Sequence, residues 1–306
     1  MAVATSMETK MAPVGLADLA QARRRFARWN LGFDRYIGYL LPLLFIVAIV
    51  PILDMVYWLG AEALPTMTWA TLTTGGPTQP LGLFPAIAGT VWIMVIALAL
   101  AVTLGLFGGI ATAEFLSERS AAWVRMTANT LAGMPAIIIG MMGFVVFVLY
   151  FGWGLVLIAG AVTTAFFMTP YVFRAADLAF SSVPRTIREA ALGAGARPID
   201  YILRVARPIV TPQILNGIFL ALGLGIGETA TVIVTVQPSA LAPTGPFSYA
   251  SYLTYVIYAE YTSPLPADVT LAFQAAFLLL MIVIVINIIV RIVAWRYQTR
   301  LAGLFV

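Results

Sequence analysis

The residues able to do chemistry are few in this chain, and what is missing bounds the rest. Among its 306 residues there is no cysteine and no histidine. That removes disulfides, zinc sites and a histidine general base. Lys10 is the single lysine, and no GxxxxGK[ST] loop occurs, so the chain cannot supply a Walker-type nucleotide site. The polar groups that stand out are Arg174, Asp177, Glu228 and Thr229, with Asp54 near the end of the first apolar run. Glu228 interrupts ALGLGIGETATVIV. A carboxylate inside a membrane span costs about 2.5–3.5 kcal/mol on insertion scales. It must face protein or water, and a cationic partner is expected. Arg174 is the natural candidate, with Asp177 about one helical turn onward. Arginine offers an oxyanion several coplanar donors. A carboxylate beside it would hold it in place and disfavour a fully ionised anion. The plainer alternatives are a snorkelling anchor for Arg174, a helix-pinning role for Glu228 and a back-bond to a helix carbonyl for Thr229.

The elements that must position these residues follow from composition. The chain is 61% hydrophobic and 10% charged, against about 25% charged for a soluble domain. It cannot cover a water-facing surface, and a bilayer divides it better, at about 20 residues per helix. Six apolar stretches are predicted as spans: 38–60, 84–113, 129–150, 153–173, 209–236 and 270–295. A Phe151–Gly152–Trp153–Gly154 turn joins the third and fourth. Residues 1–37 lack the apolar core and cleavage site of a signal peptide. Within them, 16–36 alternates apolar and basic residues at helical spacing, which predicts an amphipathic helix on the membrane surface; the alternative is a solvated basic tail. Gly105 with Gly109, and Gly223 with Gly227, are small-xxx-small pairs that let helices approach. The loops 61–83 and 237–269, with Gly75, Gly76, Pro77, Pro80, Pro243 and Pro246, read as caps where a soluble protein could dock.

The basic residues are one-sided. Lys10, Arg23, Arg24, Arg25, Arg28 and Arg35 precede the first span, and Arg119 and Arg125 follow the second. Arg174, Arg185, Arg188, Arg197, Arg204 and Arg207 lie between the fourth and fifth, and Arg291, Arg296 and Arg300 close the chain. The other loops carry only Glu62, Glu260 and Asp268. The positive-inside rule then predicts that both termini and the 174–208 segment are cytoplasmic, in agreement with six spans.

That segment is too long for a tight connector and too patterned for a disordered one. Ser181 or Ser182 is predicted to cap a helix with Pro184 in its first turn. Ile187, Ala190 and Ala191 form its apolar face and Gly193 and Gly195 break it. A second short helix, from Asp200, ends near Pro208. Glu189-Ala190-Ala191, then Gly195, then Val205-Ala206-Arg207-Pro208 resembles the EAA loop of ABC importer permeases, with Arg207 where that pattern has leucine. The resemblance implies that the 181–208 loop couples to an ATPase subunit through Glu189, Ala190, Ala191 and Gly195.

From about 84 to 296 the chain is similar to the PstA-type permeases of phosphate-specific ABC importers. Gly227-Glu228-Thr229-Ala230 matches their GETA signature. Met134-Pro135-Ala136-Ile137-Ile138-Ile139-Gly140 resembles their (V/M)PSIVxG segment, and Val183-Pro184-Arg185 with Arg188-Glu189-Ala190-Ala191 their VPRxxREAA run. Three positions depart: Ala136 stands where that segment has serine, Leu224 where members commonly have arginine, and Thr231 where proline often follows. The resemblance implies an all-α membrane protein, a six-helix type I (MetI-like) permease bundle over 38–296. It implies a cytoplasmic segment before the bundle and a tail over 297–306. It also implies a solute path involving Arg174, Asp177, Glu228 and Thr229. No cofactor is expected in the chain; ATP and Mg would bind two PstB-like ATPase subunits. A PstC-like second permease and a PstS-like extracytoplasmic binding protein complete the set, in a prokaryotic inner membrane. Phosphate is the solute expected, with molybdate, tungstate or sulfate as alternatives. An ATP-independent secondary transporter using Asp54 and Glu228 is the rival class, and a lipid-acting enzyme is disfavoured by the missing histidine and cysteine.

Overall fold

The computed structural model describes residues 16–75 and 82–302, with side chains over 37–75 and 82–293 and at Arg296. Lys10, the loop residues Gly76, Pro77 and Pro80, and 303–306 of the tail lie outside the described residues. The chain divides into two units at Trp58–Leu59. Through the first runs one helix, α1 (Leu16–Ala63, 48 residues). The basic segment and the first span therefore form one continuous helix. Within α1 no proline precedes Pro42 to break the backbone between them. At 1.5 Å per residue α1 is about 72 Å long, more than twice a hydrocarbon core of about 30 Å. Its Ile37–Ala63 part is the apolar span.

The second unit is built on α6 (Leu157–Ser181), which packs between α3 (Phe84–Glu114) and α9 (Arg207–Ile226). In its most apolar stretch 61% of residues are buried, against 33% for α3. Small residues make the α3–α6 seam. A Cβ on Gly105 would lie 2.7 Å from Val172 Cβ and 2.8 Å from the Phe173 nitrogen. One on Gly109 would lie 2.6 Å from Ala176 Cβ and 2.8 Å from the Asp177 nitrogen. Ala97, Ala101, Ala165, Met168, Val172 and Ala221 continue the same core. The second expected small-residue pair is not a seam: Gly223 faces open space and Gly227 meets only the Leu224 carbonyl, at 4.0 Å.

Two predicted spans are corrected. The third is not a straight helix from 129. It is α4 (Glu118–Ala132) and α5 (Ala136–Gly143), with a π-helical continuation over Phe144–Tyr150, bent by 99° at the break between them. Pro135 causes the break, because it lacks an N–H and drives Met134 out of the helical region. The fifth does not run over 209–236. It starts at α8 (Pro198–Asp200), passes through a π-helical turn (Tyr201–Ala206) and ends with α9 at Ile226. Pro208 therefore does not end a short helix. It is the second residue of α9, inside the continuous helix and just after the π-helical turn.

After Ile226 come the four-residue α10 (Ala230–Ile233) and a segment that folds over the start of α6. Leu157 N–H donates to Ser248 O at 3.0 Å and Ile158 N–H to Pro246 O at 2.8 Å, so the second long loop satisfies donors that the first helical turn leaves open. The short α2 (Trp69–Thr73) lies in the first long loop, and α11 (Leu253–Tyr261) pairs with α12 (Pro266–Ala302). Among the described residues, five helices are long and apolar enough to cross a membrane, six if the bent pair is one span.

Candidate functional site

α6 continues to Ser181, eight residues past the predicted end of the fourth span. The serines therefore close α6 and do not open the next helix: Ser182 Oγ donates to Ala179 O at 2.7 Å. One short helix follows, α7 (Arg185–Gly193), with Pro184 at its N-cap. Gly195 ends its turn at φ +88°, a conformation that costs other residues about 1–2 kcal/mol. Ala191 packs inward beside Val183 and Tyr201. Ile187, Glu189 and Ala190 are exposed, so the expected apolar face is split between bundle and solvent. Glu189 has no hydrogen bond or ion pair among the described residues, which leaves its carboxylate open. On the inner side, Arg188 Nη2 donates to Glu114 O at 2.9 Å and stands 3.2 Å from Glu114 Oε2.

Between α4 and α6 lies a cavity of about 380 Å³ lined by Arg125, Asn129, Phe173, Arg174, Asp177, Leu178 and Ser181. Asp177 was expected to hold Arg174, but it holds Arg125. Arg125 Nε donates to Asp177 Oδ2 at 2.7 Å and Nη2 to Oδ1 at 2.8 Å. This is the planar fork-to-carboxylate pair that only arginine forms. Asp177 is 5% exposed, so a partner is obligatory. Arg174 is exposed and makes no ion pair among the described residues. The site thus holds one neutralised and one open guanidinium, an arrangement suited to a small oxyanion. Sequence reasoning missed Arg125. Its signal was the Arg125/Asn129 spacing, which puts both on one helix face.

Glu228 is not paired with Arg174. Thr164 of α6 meets Thr231 with hydroxyl oxygens 3.2 Å apart, and Arg174 lies ten residues further along α6, about 15 Å away by helical rise. The carboxylate instead accepts Ala230 N–H at 2.7 Å and Thr231 N–H at 3.2 Å through Oε1. The chain leaves α9 at Gly227, which frees N–H groups, and the carboxylate satisfies them. Thr254 Oγ1 donates to Glu228 O at 3.4 Å. Thr229 is half-buried, and its hydroxyl makes no back-bond among the described residues.

The break rests on α5. A Cβ on Gly140 would lie 2.7 Å from Ala230 O and 3.1 Å from Thr231 Cα. The two motifs quoted from the sequence, ending at Gly140 and Ala230, therefore touch. Gly140→Val is expected to displace the break at a cost of about 1–3 kcal/mol. It should reduce solute uptake at least tenfold while the chain still inserts. Uptake per inserted chain checks this, and unchanged uptake would show that the contact is not required.

This bundle has known counterparts. Residues 105–299 match the binding-protein-dependent transport system inner membrane components. The chain belongs to that family. Phosphate transport system permease protein PstA 2 of Mycobacterium bovis is 32% identical over 257 residues, covering 83% of this chain and 85% of that protein. PstA 1 of Mycobacterium tuberculosis is 30% identical over 262 residues, covering 82% and 86%. Among solved structures, a bacterial ABC transporter involved in the import of the polysaccharide alginate superimposes with TM-score 0.63 at 16% identity, over 89% of this chain and 99% of that one. The MetNI methionine ABC transporter in an inward-facing conformation gives 0.55 at 16% identity, over 68% and 93%. These likenesses show the fold: an all-α, MetI-like ABC importer permease bundle. The family stretch contains α7, the Arg125–Asp177 pair and the Glu228 break.

Proposed function

We propose that this chain is a permease subunit of an ATP-driven importer that carries inorganic phosphate into the cytoplasm by alternating access. The observation that carries the reading is α7, which displays an open Glu189 beside Ala190 at the end of the bundle where the basic residues gather. Relatives named as phosphate transport permeases, similar over more than four-fifths of the chain, support the solute. The positive-inside rule places α7 and both termini in the cytoplasm of a prokaryotic inner membrane. Two PstB-like ATPase subunits bind ATP and Mg, and one takes α7, through Glu189, Ala190, Ala191 and the Gly195 turn. A PstC-like permease and a PstS-like binding protein complete the assembly. Arg174 receives the oxyanion and Asp177 keeps Arg125 from over-charging the site. Glu228 and Thr229 shape the path at the break. A second oxyanion, such as molybdate, tungstate or sulfate, is kept in view by Leu224. It is 38% exposed one turn before Glu228, where the PstA-type pattern has arginine.

The test has two arms. The cognate binding protein, purified with its solute, should hold phosphate; a sugar or amino acid there would sink the solute assignment and leave the permease assignment standing. Glu189→Lys should abolish transport-linked ATP hydrolysis in proteoliposomes while the chain remains inserted. Normal coupling in that variant would count against the docking role.

A further inference from the structure

We propose that Glu114 and Arg188 form the joint through which displacement of α7 reaches the Arg125–Asp177 pair at the solute cavity. Both are positioning residues, and the proposal rests on reading α7 as the ATPase-docking helix. Glu114 is the last residue of α3, and its side chain is 5% exposed. Its Oε2 is buried without a hydrogen bond, and among the described residues the charge that meets it is Arg188, at 3.2 Å. A buried carboxylate with one imperfect contact is a poor stabiliser, and an apolar side chain would serve stability better. Arg188 also donates to the backbone carbonyl of Glu114, at the negative end of the α3 dipole. One side chain of α7 thus grips both the backbone and the carboxylate at the tip of a long helix.

From that tip the contacts run on without a gap. Five residues back along α3, Gly109 lies against the α6 backbone at Phe173 and Asp177 and against Ala176 Cβ. Asp177 is the carboxylate that Arg125 clamps. Arg125 in turn lines both the solute cavity and a second cavity, of about 240 Å³, that contains Glu114, Arg185, Arg188 and Tyr201. Packed backbones and a forked ion pair pass on small displacements, whereas a loose loop absorbs them. Two N–H···O bonds of 2.7 and 2.8 Å do not survive a relative shift of about 1 Å. Arg125 sits on α4, which is separated from Glu114 by only three residues, so a pull on Glu114 that carries α3 and α4 together along α6 opens the Asp177–Arg125 pair. That frees the second guanidinium for the anion.

The experiment uses the assembled transporter, with its ATPase and binding protein, in proteoliposomes. Arg188→Gln and Glu114→Gln are each expected to keep the ATPase subunit bound and to keep unstimulated hydrolysis within twofold. Stimulation by the solute-loaded binding protein, and solute moved per ATP, should fall at least tenfold. Arg188→Lys, which keeps the charge and part of the contact, should recover part of the stimulation; a purely structural role would not produce that gradient. Unchanged solute per ATP in both glutamine variants would overturn the proposal. So would loss of the ATPase subunit from Arg188→Gln, which would make Arg188 a docking residue. If Arg188→Gln fails to insert, the nearly isosteric Glu114→Gln decides alone. Glu189→Lys is run alongside. Normal coupling there breaks the docking reading, whereas normal coupling only in the Arg188 and Glu114 variants breaks this inference alone.

Discussion

Arg125→Ala is expected to destabilise the chain by about 2–3 kcal/mol and to abolish uptake. Removing one member of a buried pair costs about 3–5 kcal/mol, because the other charge is left uncompensated. The expected loss falls below that range, since the Arg125 side chain is 42% exposed and the pair is partly screened. What remains is Asp177, 5% exposed on the best-buried helix of the bundle. The converse change is gentler. Asp177→Asn leaves Arg125 able to reach solvent and should cost less than about 1 kcal/mol. Thermal unfolding of the solubilised protein should therefore rank Arg125→Ala well below Asp177→Asn, with Arg125→Lys between them because lysine keeps the charge and loses the fork. Equal stabilities in all three would show that the pair is not formed in the membrane.

Gly109→Leu should be at least as damaging, by a different route. The Cβ it introduces would meet Ala176 Cβ at 2.6 Å, Phe173 O at 2.7 Å and the Asp177 nitrogen at 2.8 Å. Two of these are backbone atoms, so no rotamer change relieves the clash and α3 must move off α6. Overpacking costs about 1–3 kcal/mol where side chains can adjust; here they cannot, and a loss of about 3 kcal/mol or more is expected. The yield of monodisperse solubilised protein reads it directly. Gly223→Ala is the control, because open space surrounds Gly223, and it should behave like the unaltered chain. If the two substitutions gave the same yield, the seam would not be where Gly105 and Gly109 place it.

These results separate two kinds of information. Composition and charge asymmetry were enough to read an all-α membrane bundle. The register of Glu189, Ala190, Ala191 and Gly195 was enough to read α7, because helix, breaker and exposure are local properties. The Gly105/Gly109 seam was legible for the same reason: two glycines four apart mark one face whatever lies opposite. Partners were not legible. Arg174 and Asp177 are three apart in sequence, and that proximity suggested a pair. Yet Asp177 points into the bundle and takes an arginine 52 residues earlier, on another helix. Glu228 was expected to need a cation because a continuous helix leaves a carboxylate nothing else. Only the break at Gly227 exposes the N–H groups that satisfy it. Nothing in the sequence singled out Glu114; only folding buries its side chain beside Arg188 of α7. A span or a turn is decided by residues a few positions apart, so the sequence by itself determined the helical bundle and the short helix α7. Which charge neutralises which depends on how helices far apart in the chain come together, and only the tertiary structure decided that.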